Sequence, residues 1–128
     1  MPILAATEDL YKTYENEVAG WLHSMSTEET PTEYIVNMLS KGIYECFFTF
    51  DGDRIIGIVI TDSRVGILKF VGASGNVMGK WDVLHKQFVQ LAKDKGLTSI
   101  EFRGRRGFLR TFKQYGMTEK FTVMEMKF

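Results

Sequence analysis

Two runs, IYECFFTF (43–50) and RIIGIVIT (54–61), constrain this chain more than any other feature. Both are rich in β-branched and aromatic residues, and only Asp51-Gly52-Asp53 separates them. Asp-Gly between such runs predicts a β-hairpin. The runs are almost continuously apolar instead of alternating, so both faces of the resulting sheet must be covered. A third run, RVGILKFV (64–71), follows through Thr61-Asp62-Ser63 and reads as the next strand.

The covering layers are legible in the rest of the chain. PIL (2–4) reads as a short first strand, and Thr7 precedes Glu8 and Asp9, a cap followed by acids that suit a helix N-terminus. Leu10, Tyr14, Val18, Trp21 and Leu22 then recur at helical spacing, predicting one helix to about residue 25. In TPTE (30–33), Thr30 is expected to cap, with Pro31 in the first turn and Glu33 completing a capping box. Tyr34, Ile35, Met38 and Leu39 form that helix's apolar stripe, and Gly42 its stop. The longest predicted helix carries Trp81, Leu84, His85, Phe88, Leu91 and Ala92 on one stripe and ends at Gly96. LTSIEFR (97–103) reads as a strand, 108–115 as a helix stopped by Gly116, and FTVMEMKF (121–128) as a last strand. The expected order is β-α-α-β-β-β-α-β-α-β. It makes an α/β (α+β) three-layer fold, a mixed, mostly antiparallel sheet with helices on both faces, in a single domain over residues 1–128.

Composition narrows the function classes. Cys46 is the only cysteine, so an internal disulfide and a zinc site with cysteine spacing are both excluded. No apolar run approaches the ~20 residues of a membrane-spanning helix, and the N-terminus has no secretory-signal pattern. The expectation is a cytoplasmic protein. Net charge is zero, but residues 1–62 hold 11 acids and 3 bases (net −8), and residues 63–128 hold 5 acids and 13 bases (net +8). Two readings stand: an anionic partner for the second half, or two halves that neutralise each other.

With these lengths, the order of elements resembles the GNAT family of acyl-CoA N-acyltransferases. ILAATEDL is similar to the family's opening I-R-x-A-T-x-x-D. FDGDRIIGIVI is similar to its second hairpin, with a glycine (here Gly57) in the later strand. FKQYGM resembles its late Y-x-x-x-G-F, matched at Gly116 and approximately at Met117. The resemblance implies acetyl-CoA or CoA as cosubstrate, no metal, and an amine acceptor, either a small molecule or a protein. The family's pyrophosphate loop, Q/R-x-x-G-x-G/A, falls on NVMGKW (76–81), where Asn76 replaces Gln or Arg, Gly79 matches, and Trp81 stands where Gly or Ala is usual. Such a loop turns backbone N–H groups toward an anion at a helix N-terminus. The cofactor-binding residues implied are Phe70, Val71, Asn76, Val77, Met78, Gly79 and Lys80. Arg105 and Arg106 join them because a guanidinium fork suits a phosphate.

The catalytic positions depart from the family pattern. Phe112 stands at the usual general-acid Tyr and has no proton to give. Tyr115 is the neighbouring candidate acid, Glu101 is the candidate general base by its place on TSIEF, and Glu45 is a second carboxylate candidate. His85 reads as a half-buried helix residue, His23 as a partner of a helix C-terminus, and Cys46 as inert core. The basic cluster at 103–106 beside Phe108 admits a nucleic-acid reading, which the neutral chain disfavours. GRRGFLRTFKQYGM (104–117) also resembles the tails of short phage-encoded GNAT-like proteins. A non-catalytic structural or interaction protein, of a bacteriophage, is therefore the alternative to an acetyltransferase. The apolar last strand offers an edge for a homodimer.

Overall fold

The computed structural model describes residues 3–28 and 30–102. The helix expected over 108–115 and the last strand lie outside them. Strand β1 (Ile3–Ala5) is followed by helices α1 (Glu8–Thr13), α2 (Glu15–Met25) and α3 (Thr32–Ser40). Strands β2 (Glu45–Asp51), β3 (Arg54–Asp62) and β4 (Ile67–Gly75) come next, then a 3-10 turn at Met78–Lys80, helix α4 (Trp81–Asp94) and strand β5 (Ser99–Phe102). The sheet order is β1-β2-β3-β4-β5. The pairs from β1 to β4 are antiparallel, and β4 with β5 is parallel. This is the mixed α+β sheet that the sequence predicts.

Side chains leave the central strands on alternate faces, and each face has its own core. Cys46, Phe48, Ile58 and Ile60 pack against Val18 and Leu22 of α2 and Ile35 and Met38 of α3. Phe47, Val59, Leu68 and Phe70 pack against Trp81, Leu84, Phe88 and Ala92 of α4. The unbroken apolar runs thus do serve two buried faces at once.

Local signals set most element ends. Thr7 Oγ1 accepts from Leu10 N at 3.2 Å and caps α1. After α3, Gly42 (φ 72°) lets Ile43 N reach Met38 O (3.0 Å) and Gly42 N reach Leu39 O (3.0 Å), a Schellman stop. Gly96 (φ 73°) closes α4 in the same way through Leu97 N and Ala92 O.

Three expectations are corrected. The first helix is two, broken at Tyr14 (φ −114°, ψ 30°), whose ring lies over Phe48 and Phe50. Thr30 does not cap α3. Its hydroxyl and amide bond to Thr27 Oγ1 (2.7 and 3.0 Å), closing the α2–α3 loop on itself, and Pro31 takes the N-cap place with its carbonyl accepting from Tyr34 and Ile35. The third strand, expected over 64–71, runs on through GASG (72–75), which completes β4 opposite Gly57–Ile60.

The opposed charge of the halves is met in part within the fold. Ion pairs join Asp62 to Arg64 (2.7 Å), Asp51 to Lys80 (3.2 Å) and Glu45 to Lys95 (2.7 Å), each an acid from 1–62 with a base from 63–128.

Candidate acyl-transfer site

Two irregularities in the sheet organise the site. On β3, Thr49 pairs with Gly57 and Phe50 with Ile55, so Ile56 is skipped. Its carbonyl accepts from Asn76 N at 2.7 Å. The neighbouring Gly57 carbonyl is held by the fully buried Thr49 hydroxyl at 2.8 Å. Gly57 and Gly75 face each other in register, and a Cβ on Gly57 would collide with the Ser74 carbonyl oxygen and stand 2.9 Å from Val77 Cγ2. Two glycines therefore let β3 and the end of β4 come close enough to pin the start of the loop at 76. On β4, Ile60 pairs with Gly72 and Thr61 with Phe70, so Val71 is the bulged residue, left out of the ladder.

The Val71 bulge opens onto a cavity of about 330 Å³ lined by Thr30, Tyr44, Asp62, Lys69, Phe70, Val71 and Glu101. Strand register delivers its charged groups: Asp62 on β3 is opposite Lys69 on β4, and Lys69 is opposite Glu101 on β5. Asp62 is gripped by Arg64, whose Nε and terminal nitrogen donate to both carboxylate oxygens at 2.7–3.2 Å. Those bonds hold the Asp62 carboxyl below its ordinary range. Tyr44 is buried, and burial followed by its hydrogen bond with Tyr34 pushes its hydroxyl above the ordinary value, so it keeps its proton.

At the other end of β4, the chain enters α4 through Asn76–Lys80. Gly79 is exposed, and the Asn76 side chain lies across it where a Cβ would stand. Among the described residues, neither N-cap residue, Val77 before the 3-10 turn or Lys80 before α4, caps its helix with a side chain, which leaves the first-turn N–H groups without that competitor. Trp81 does not fill the mouth of the helix. Its indole is 4% exposed, edge-on to Phe70 at 5.4 Å and stacked on Phe88 at 5.9 Å.

Of the residues expected from sequence, Phe70, Val71 and Glu101 meet at the cavity, and Asn76, Gly79 and Lys80 meet at the α4 start. Val77 is buried and Met78 packs against the α4-side core, so these two present only main chain to a ligand. Asn76's own amide is committed to β3, and Lys80 is paired with Asp51. Glu45 lies outside the cavity, tied to Lys95. Arg105, Arg106 and Tyr115 lie outside the described residues. Cys46 is buried, and burial pushes its thiol up to about 11, which makes it a poor nucleophile. Tyr44, Asp62 and Lys69 were not singled out by sequence reasoning. Their signal is the register of three strands, which the sequence does not print.

Comparison with solved structures places the fold. An aminoglycoside acetyltransferase from an uncultured soil metagenomic sample, crystallised with sisomicin, superposes with a TM-score of 0.65 over 98% of this chain and 93% of that one, at 11% identity. A Bacillus subtilis acetyltransferase in complex with CoA gives 0.59 over 89% and 72%, at 17% identity. The chain has the GNAT acetyltransferase fold. A protein from Bacillus halodurans C-125 described as a transcriptional regulator shares it too, with a TM-score of 0.64 over 98% of both chains at 17% identity. No protein-family model and no curated protein sequence matches the chain. The GNAT likeness is therefore one of fold, with the chemistry to be argued from the site itself.

Proposed function

We propose that this protein is an acyl-CoA-dependent N-acyltransferase that moves an acetyl group from acetyl-CoA to an amine. The observation that carries this reading is the Val71 bulge, which breaks the β4 ladder at the rim of a cavity that also holds a carboxylate, Glu101. The residues present fit a CoA-type cosubstrate: an exposed Gly79, an α4 start that the Lys80 side chain does not cap, and an indole turned into the core. CoA binding to a neighbour of the same fold supports the assignment. The thioester supplies an activated acyl carbon.

The chain's own residues do the rest. Main chain at Gly79 and the first turn of α4 holds diphosphate oxygens. Main chain at Val71, out of the ladder, meets the charge that develops on the acyl oxygen. Glu101 takes the proton that an ammonium must lose before its nitrogen forms the new C–N bond. As the C–S bond breaks, its electron pair leaves on sulfur, and Tyr44 Oη holds a proton for that sulfur. The test is thiol release from acetyl-CoA with a panel of primary amines. Glu101→Gln should lower turnover by about 10²–10⁴-fold while leaving the melting temperature near that of the parent. An equal rate in the variant would remove Glu101 from the mechanism. No thiol release with any amine, and no thermal shift with CoA, would sink the reading.

A second reading, a non-catalytic GNAT-like interaction protein such as a bacteriophage component, is favoured by one observation. Phe112 stands where the family carries an acidic tyrosine. Under that reading the cavity binds no amine.

A further inference from the structure

Thr49 is a polar residue where packing asks for an apolar one. It is fully buried, it shares its face of β2 with Phe47, and it lies opposite Ile3 of β1. Phe47 and Ile3 both belong to the α4-side core, so a valine of the same shape would fill the place. Among the described residues, Thr49 and Thr61 are the buried polar side chains. A buried hydroxyl is costly unless it is bonded, and this one donates to the Gly57 carbonyl at 2.8 Å.

Gly57 is a joint that needs such a hold. The Ser74 carbonyl oxygen and Val77 Cγ2 leave no room for a Cβ there, so the position calls for glycine. Glycine is also the loosest link a backbone can have. On one side of this link is the Ile56 carbonyl, which accepts from Asn76 N at 2.7 Å. On the other is the carbonyl that Thr49 holds. The two are gripped from opposite neighbours, β2 and the chain just past β4. Beyond Asn76 the turn closes through Lys80 N and Val77 O at 3.1 Å, and the Asn76 side chain lies across Gly79. A continuous path of contacts thus runs from a buried hydroxyl to the exposed loop at the α4 start.

We infer that Thr49 is a positioning residue of the cosubstrate loop. By holding the Gly57 carbonyl it fixes the direction of the Ile56 carbonyl, and so the place at which main chain 76–80 meets a diphosphate. The inference rests on the acyltransferase reading for what the loop binds, but not for how the loop is held. Thr49 is buried and is not part of the cavity wall, so its effect on acetyl-CoA travels through main chain.

The experiment compares Thr49→Val, which keeps the shape and deletes the hydroxyl, with Thr49→Ser, which keeps the hydroxyl. One arm follows thiol release from acetyl-CoA with an accepted primary amine. The other follows hydrogen exchange at the Asn76 amide without ligand. Thr49→Val should raise KM for acetyl-CoA about three- to tenfold, the worth of one neutral hydrogen bond, with kcat and the amine's KM little changed. Its Asn76 amide should exchange faster by a similar factor, beyond any change in the slowest amides of the chain, which report global stability. Thr49→Ser should restore both. A merely structural role would lower the active fraction, and hence kcat, while leaving both KM values and the relative protection of Asn76 alone; that result overturns the inference. Thr49→Val indistinguishable from the parent in both arms overturns it too, and leaves acyl transfer standing. Faster Asn76 exchange in Thr49→Val, reversed in Thr49→Ser, in a protein that releases no thiol with any amine would uphold the hold on the loop and overturn the acyltransferase reading alone. Should Thr49→Val not fold, Thr49→Ser against Thr49→Ala differs by the same hydroxyl and is read in the same way.

Discussion

Gly57→Ala tests the part of the architecture that fixes the start of the loop at 76–80. Gly57 has an ordinary negative φ, so alanine is conformationally allowed there, and substitution would by itself stabilise by about 0.4–1 kcal/mol through the unfolded chain. The structure reverses that sign. The new Cβ would collide with the Ser74 carbonyl oxygen, and would lie 2.9 Å from Val77 Cγ2 and 3.1 Å from the Ser74 carbonyl carbon. Two of these obstacles are backbone, which cannot rotate away. Relief requires β4 to move off β3, at an overpacking cost of about 1–3 kcal/mol. It also stretches the 2.7 Å bond from Asn76 N to Ile56 O, worth ~1 kcal/mol. The net is a destabilisation of roughly 1.5–3 kcal/mol, or about 5–15 °C in Tm for a domain of this length. Calorimetry reads it directly, with Gly20→Ala as the control. Gly20 lies in α2 with nothing within 4 Å of where a Cβ would stand, so alanine there should stabilise by about 0.5–1 kcal/mol. A Gly57→Ala protein as stable as the parent would refute the close approach of β3 and β4, and with it the pinning of residue 76.

Trp81→Ala should cost ~3–5 kcal/mol, because its indole fills core between Phe70 and Phe88. Tighter CoA binding with unchanged Tm would instead mean that the indole occupies the anion site. The buried Cys46 thiol gives a pH signature. Between about pH 9 and 11 the unfolded thiol ionises while the folded one, raised to about 11, keeps its proton. The unfolded state then holds fewer protons, so stability falls as pH rises, by ~2–3 kcal/mol in all. Denaturant midpoints across that range should show the fall, and Cys46→Val should remove it. A parent and variant with the same alkaline slope would contradict the assignment.

What was legible in the sequence was what local chemistry decides. Asp-Gly marked the hairpin, Thr7 the cap of α1, and Gly42 and Gly96 the helix stops, because each acts within four residues of itself. Continuous apolar runs disclosed the two-sided sheet. The misreadings came from contacts between distant segments. Gly72 and Gly75 resemble loop glycines, yet they serve a strand: a Cβ on Gly72 would stand 2.9 Å from Met25 Sδ of α2, and Gly75 abuts Gly57. Ser24 and Ser74 bond hydroxyl to hydroxyl across that same α2–β4 contact. Thr30 is the exception, a local one: Thr27, three residues away, takes its hydroxyl and amide in place of the helix. In the site, Glu101 was legible from alternation along one strand, whereas Lys69 and Asp62 became partners of the cavity only through the bulge that sets register between β3 and β4.

The described parts of the two cores are made at different moments of synthesis. Among the described residues, the core beneath α1–α3 draws on none beyond Val71, so all of those side chains are in the chain before α4 has been made. The opposite core must wait for Trp81 through Ala92. A growing chain therefore carries, for an interval, a sheet dressed on one side, with Phe47, Val59, Leu68 and Phe70 bare on the other. That interval is when a ribosome-bound form of this protein is most open to chaperones and to its own copies.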